Sequence, residues 1–387
     1  MKKVMLIFAV IVFLISGTCF AEEDYQEILD AYTENYSAKI EESLIESGGF
    51  DNTEFPDFDV RKIMKNAAAG KELFSFGEIL KRISNIFVLE IKLVSKSMVC
   101  LLAISMLGSF LLNLKNSHSA TEITSAGYLC IYLLTVGILA AVFTEVSTIV
   151  LESVKNLSLF VKGIFPVVIA SLYASGCISS SLVLQPVLAA STEVCVHVIE
   201  KILVPIVMLS FAVCIVSCMS EKINADKFSA FLMKTVKWVL TVMLIIFIGI
   251  VGLQSIATSS VDGLSVKLTK FATSNLVPVV GGLLSESVET LMNCSIVIKN
   301  SVGVCGILAV LYMSLMPVIK LWVNLIVLRF SAAVMQPISD VRIIKCITNT
   351  ADLVSLLLAI LASTSVMFIL IITIIINTGN SAIMLGR

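Results

Sequence analysis

The sequence predicts an all-α, polytopic helical membrane protein, and three observations carry that prediction. Of the 387 residues, 58% are hydrophobic and 14% charged, with a mean hydropathy of +1.01, whereas a soluble domain carries about 25% charged residues. The apolar residues gather into six long runs, at about 97–114, 127–151, 202–219, 237–257, 302–328 and 352–377, close to the ~20 residues that cross a hydrocarbon core. Lysine and arginine are concentrated between alternate runs, as positive-inside sorting requires.

The first element is a secretory signal. Lys2 and Lys3 precede the short apolar run Val4–Ile15, and Cys19-Phe20-Ala21 offers a small-x-small cleavage site, so residues 1–21 read as a signal peptide. Residues 22–96 form an extracytoplasmic lead that is acidic to about residue 60 and basic from 61 to 96. In its acidic part Ile28, Tyr32, Ile40, Leu44 and Ile45 recur at spacings for one or two amphipathic helices, interrupted by Gly48-Gly49 and Pro56. In its basic part Phe76, Ile79, Leu80, Ile83 and Ile86 fit a helix lying on the membrane surface. Neither part has enough apolar residues for a core of its own.

Residues 97–387 form the membrane domain. The signal places residue 22 outside, so the intervals 115–126, 220–236 and 329–351 fall in the cytoplasm. The last two hold Lys222, Lys227, Lys234, Arg329, Arg342 and Lys345. The C-terminus then lies outside, with the N-terminal lead. The basic stretch 61–96 is the misfit, explained if it meets acidic lipid or an acidic partner.

An internal repeat underlies the domain. Pro166-Val167-Val168 and Pro278-Val279-Val280 stand 112 residues apart, and so do Gly137-Ile138 and Gly249-Ile250, Ser153-Val154-Lys155 and Ser265-Val266-Lys267, and Pro205 and Pro317. The offset superposes the second apolar run on the fourth and the third on the fifth. The copies, about 127–236 and 239–350, are therefore parallel repeats. Each holds an interrupted segment, Phe160–Glu200 and Phe271–Asn300, that must cross the membrane twice or not at all. Each is a re-entrant hairpin, a pair of short helices, or a surface element kinked for packing. Gly163, Pro166, Gly176 and Pro186 bracket a serine-rich turn in the first, and Gly281-Gly282 follows the proline in the second. Broken backbone at membrane depth survives only against protein or a watery cavity. That makes Pro166, Val167, Val168, Ser175, Gly176, Gln185, Pro186, Pro278, Gly281 and Gly282 the candidate structural or path residues. Glu193 joins them because it shares a helix face with His197 and Glu200 at steps of four and three, a face suited to line a polar cavity.

No enzyme chemistry is expected. The chain's two histidines, His118 and His197, form no zinc pattern, and there is no G-x-S-x-G elbow or P-loop. Cys195 and His197 are two apart on a helix and point to different faces. The ten cysteines lie mostly in apolar runs. Cys214 and Cys218 share a face without a histidine or acid to complete a metal set, and they read as small apolar packing. Neither metal nor cofactor is expected, and a net charge of -1 gives no ground for nucleic acid.

The run Phe165-Pro166-Val167-Val168-Ile169-Ala170-Ser171-Leu172-Tyr173-Ala174-Ser175-Gly176, with Gln185-Pro186, set behind a signal and an acidic lead, resembles the stage III sporulation protein AE family over nearly the whole chain. The resemblance implies one product of an eight-gene sporulation operon, in the mother-cell membrane around the forespore. It implies a subunit of a secretion-like channel that includes stage II sporulation protein Q and supports late forespore gene expression. Membrane lipid and the other stage III subunits would be its partners. The competing expectation is a self-contained permease using the two Pro-Val-Val segments as its substrate path.

Overall fold

The computed structural model describes residues 33–48, 59–69, 76–116, 122–174, 177–219, 225–276 and 281–386, with the side chains of 76, 78–80, 112–116, 122–125, 174, 178–181, 183–184, 219, 251, 254–293 and 378–386 outside that description. Among the described residues every regular element is a helix. They are α1 (33–46), α2 (Val60–Ala68), α3 (Phe76–Asn116), α4 (Glu122–Ala174), α5 (Ile178–Val198), α6 (Val204–Met219), α7 (Asp226–Leu276), α8 (Gly281–Met335) and α9 (Val341–Gly386). Five stretches are long and apolar enough to cross a membrane: Ala126–Tyr173, Gln185–Cys218, Asp226–Ile250, Cys294–Met335 and Val341–Asn377. The chain is a multi-pass helical membrane protein. The expected run at 97–114 is helical within α3 but is not one of the five.

The helices overrun the lengths expected of them. Ala126–Tyr173 holds 48 residues, about 72 Å at ~1.5 Å per residue, against a hydrocarbon core of about 30 Å. Three corrections follow. The surface helix expected over 76–86 is the first part of α3, continuous with the run at 97–114. It packs along α8 through Ile83, Ile86, Phe87 and Val94 against Ile319, Val323 and Val327. Pro166 does not interrupt its segment, since α4 passes unbroken through it to Ala174. A helical proline removes one donor and crowds the carbonyl four residues back. Here Pro166 faces outward, while Ile164, Phe165, Val167 and Val168 around it are buried and hold the helix. The break comes later, where α4 ends and Cys177 caps α5. Finally, the 112-residue offset does not align the helix ends. The turn after α4 corresponds to positions 287–289 inside α8, whereas the position of Pro166 inside α4 corresponds to Pro278, between α7 and α8 and outside the described residues.

A second irregularity lies between α5 and α6. Residues Ile199–Leu203 form a π turn, in which the Val204 amide donates to the carbonyl of Ile199. Pro205 follows directly and has no amide to offer Lys201, so the wider turn relieves its clash with the preceding carbonyl.

Neighbouring contacts fix how the helices sit side by side. At one end, here the basal end, Tyr128 donates to Asp340, and Ser105 Oγ donates to Ser339 Oγ at 2.5 Å. There too Tyr132 donates to the Ile215 carbonyl at 2.9 Å, and Asp226 holds Ser217 and Lys345. The three expected cytoplasmic intervals thus adjoin at one end. At the opposite, distal end Ile164 of α4 and Ile372 of α9 close over Gly306 of α8, and Ile376 closes over Gly303. A Cβ at Gly306 would stand 2.7 Å from Ile164 Cδ1, so the glycine permits that approach.

These contacts also show that the apolar runs are staggered. Gly108 of α3, Ile131 of α4 and Ile343 of α9 share one level, yet the apolar run of α9 starts at 352 while that of α4 starts at 127. Likewise Asp340, level with Tyr128, lies well beyond the end of the α8 run at 328. Asp226, level with Ser217, lies before the α7 run at 237. The runs of α7, α8 and α9 are displaced toward the distal end by about 20 Å at ~1.5 Å per residue.

The N-terminal lead does not fold alone. On α1, Tyr36, Ile40 and Leu44 form a buried stripe, and on α2 Val60, Ile63 and Met64 do so. Both stripes join the same core as α4, α8 and α9. Ile45, expected on the apolar face, points outward and is 71% exposed, because it is one residue, or ~100°, off the i, i+4, i+8 line. Asp59 caps α2 by accepting from the Lys62 amide at 3.0 Å. Arg61 meets Glu34 of α1 at 2.9 Å, an exposed pair of small worth.

Candidate functional site

The region where α1, α4 and α8 meet gathers several polar side chains. α1 lies against α4 at Gly163, where a Cβ would stand 2.8 Å from Ser43 Oγ. Two turns earlier the amide of Asn156 donates to the Ser47 carbonyl at 3.1 Å and to the Glu152 carbonyl at 3.3 Å. Below this contact a cavity of about 230 Å³ opens between α4 and α8. Glu152, Ser153, Asn156, Tyr312, Met316 and Lys320 are among its lining residues. Lys320 lies 3.9 Å from Glu90 of α3, so three helices contribute charge around it. Carboxylate, amide, hydroxyl and ammonium groups facing one small space can hold a polar or zwitterionic group or water.

The sequence-chosen residues are dispersed rather than convergent. Glu193 pairs with Lys162 across the α4–α5 hairpin, and both side chains are largely exposed. His197 is also exposed, and Glu200 falls in the π turn, so the expected acidic face turns outward at Glu193 and His197. Cys195 is buried while His197 is exposed, which keeps the two apart as the spacing implies. Val167 and Val168 are core residues, and Gln185 and Pro186 are exposed on α5. Gly281 and Gly282 open α8. Ser175, Gly176 and Pro278 lie outside the described residues.

Two constellations escaped the sequence reading. Lys299 of α8 is fully buried and donates to the Ile376 carbonyl of α9 at 2.9 Å. Its one sequence signal is its place at the edge of an apolar run, where a charge is costly unless held. Cys214 and Cys218 of α6 come within hydrogen-bonding reach of Cys346 of α9. Nothing in the spacing of 214 and 218 could announce a third thiol from another helix. Among the described residues no group of three or more His, Cys, Asp or Glu is placed to hold a metal ion.

The model of the family "Stage III sporulation protein AE" matches residues 58–379. The chain belongs to the stage III sporulation protein AE family. A relative of that name from Bacillus subtilis (strain 168) is 26% identical over 377 residues, covering 96% of this chain and 94% of the relative. No solved structure matches. The family match takes in α2 through nearly all of α9, so the cavity, the α4–α5 hairpin and the buried Lys299 all fall inside it. Family membership gives the chain a role in sporulation.

Proposed function

We propose that this chain is a non-enzymatic membrane subunit of a sporulation channel or secretion-like complex. In this reading it sits in the mother-cell membrane facing the forespore and supports late forespore gene expression. Its partners are the other stage III subunits and, through them, stage II sporulation protein Q. The lead and the C-terminus face the space between the two membranes. The meeting of the intervals 115–126, 220–236 and 329–351 at the basal end supports that arrangement.

The observation that carries the reading is the dry seam between α4, α8 and α9. Val150, Val154, Phe160, Ile164, Val168 and Leu172 on α4 face Val302, Cys305 and Ala309 on α8 and Leu357, Ile360 and Ile371 on α9. Every one of them is fully buried. The buried hydroxyls in this seam mostly donate to carbonyls of their own helices, as Ser147 does to Phe143 and Thr364 to Ile360. A continuous solute path needs polar groups turned toward water. Outside the small cavity between α4 and α8 this seam is apolar apart from Lys299, which is held by the Ile376 carbonyl, and hydroxyls bonded to their own helices. A conduit built with this subunit is therefore lined by its outer faces together with other chains, which favours the complex over the self-contained permease.

The test is purification from sporulating cells in mild detergent, followed by reconstitution of the lone protein. Co-purification of stage III subunits with no solute uptake into liposomes is expected. Robust uptake by the lone protein would establish the permease instead.

A further inference from the structure

We propose that the first turns of α7 form a binding stripe for anionic phospholipid headgroups at the basal surface of the membrane. Lys227, Phe231, Lys234 and Trp238 follow one another at steps of four, three and four, so they stack on a single helix face. All four are exposed, Phe231 by 61% and Trp238 by 67%. The opposite face, Ser229, Leu232, Val236 and Leu240, is buried against the bundle. Phe228, 51% exposed, and Lys237 flank the stripe.

The cations on this face are free. Among the described residues, the side-chain ammonium groups of Lys227, Lys234 and Lys237 take part in no ion pair or hydrogen bond. The acid beside them among those residues, Asp226, is taken up by Lys345 and Ser217. Beyond Lys237 no charge occurs until Asp262, so Trp238 stands at the border where a helix passes from headgroups to acyl chains. Aromatic rings at that level sit among glycerol and carbonyl groups, and an ammonium there gains from an anionic phosphate. Two lysines about 10 Å apart, with a ring between and another above, suit phosphodiester groups lying over apolar tails. An acidic protein would meet the lysines but gains nothing from rings directed at lipid. The basic stretch of α3 is the internal contrast. Lys92 and Lys96 are exposed there with Ile91 and Leu93 as neighbours, but no aromatic residue lies within two turns of them on that face.

The chain's two tryptophans, Trp238 and Trp322, make the stripe readable by fluorescence. In the full-length Trp322→Phe protein, reconstituted in mixed bilayers, Trp238 emission is titrated with phosphatidylglycerol or phosphatidylcholine carrying brominated acyl chains. Brominated phosphatidylglycerol should half-quench at a roughly fivefold or more lower mole fraction, the equivalent of about 1 kcal/mol from one lysine near the surface. Lys227→Gln/Lys234→Gln should bring the two lipids level. Lys227→Arg/Lys234→Arg and Lys92→Gln/Lys96→Gln should both keep the preference. Equal quenching by the two lipids in the starting protein, the outcome if the lysines serve an acidic protein instead, overturns the proposal. So does a preference that survives Lys227→Gln/Lys234→Gln.

Discussion

Replacing Ile40 by alanine tests whether the N-terminal lead is an integral part of the bundle. Helix α1 has 14 described helical residues, 33–46, a length at which an isolated helix is marginal in water. Its order therefore depends on docking through Tyr36, Ile40 and Leu44. Ile40 is fully buried, and truncating such a side chain to alanine costs about 2–5 kcal/mol. The low end applies here, because α1 is held from one side and its neighbours can close in. A loss of about 2 kcal/mol multiplies the undocked fraction by roughly 30. Lys39 is the tryptic site inside α1, and cleavage there follows the open population when opening is fast compared with cutting. Limited trypsinolysis of the detergent-solubilised protein should therefore cut at Lys39 about 30-fold faster in Ile40→Ala. Ile45→Ala, at the outward position, should change the rate by no more than about twofold, within the ~0.5 kcal/mol usual for surface substitutions. Equal acceleration in both variants would mean that α1 is not docked through this stripe, and the argument would fail.

Further predictions concern other contacts. Gly163→Ala should loosen α1 in the same cleavage assay, because its new methyl meets Ser43 2.8–3.0 Å away, and Ser43→Gly should restore resistance. Tyr132→Phe removes a donor from the Ile215 carbonyl at a nearly buried position and should lower thermal stability by about 1 kcal/mol. Asp352→Asn, which breaks an exposed pair with Arg329 at 3.4 Å, should cost no more than about that and lose even this in high salt. In a cysteine-free background, a thiol placed at 225 should resist an impermeant reagent in intact cells while one at 385 reacts. Labelling in the reverse pattern would invert the membrane map.

The helical class and the identity of the family were legible because both rest on local composition and on one contiguous motif. Helix lengths were not. A hydropathy window sees where apolar residues are dense, but α3 and α4 continue as helices well past their apolar runs, because packed neighbours replace lipid as their support. Pro166 misled for a related reason. Its local cost is real, but the buried residues on both sides of it outweigh one missing donor. Glu193 was singled out for a helix face shared with His197 and Glu200, yet its partner Lys162 sits 31 residues away on another helix. Cys346 joining Cys214 and Cys218 is the same kind of event. Pairings between helices come from tertiary register, which no spacing rule along one helix contains.

The stagger between the two sets of apolar runs has a consequence for the surrounding lipid. A flat slab about 30 Å thick cannot match the runs of α3, α4 and α6 and also those of α7, α8 and α9 when the second set stands about 20 Å higher. Either the bundle axis leans, or the leaflets slope and thin from one flank of the protein to the other, at a modest cost for each ångström of mismatch. Several such subunits side by side would add their slopes. The protein would then shape the membrane it occupies, drawing it into a dimple or rim around the assembly.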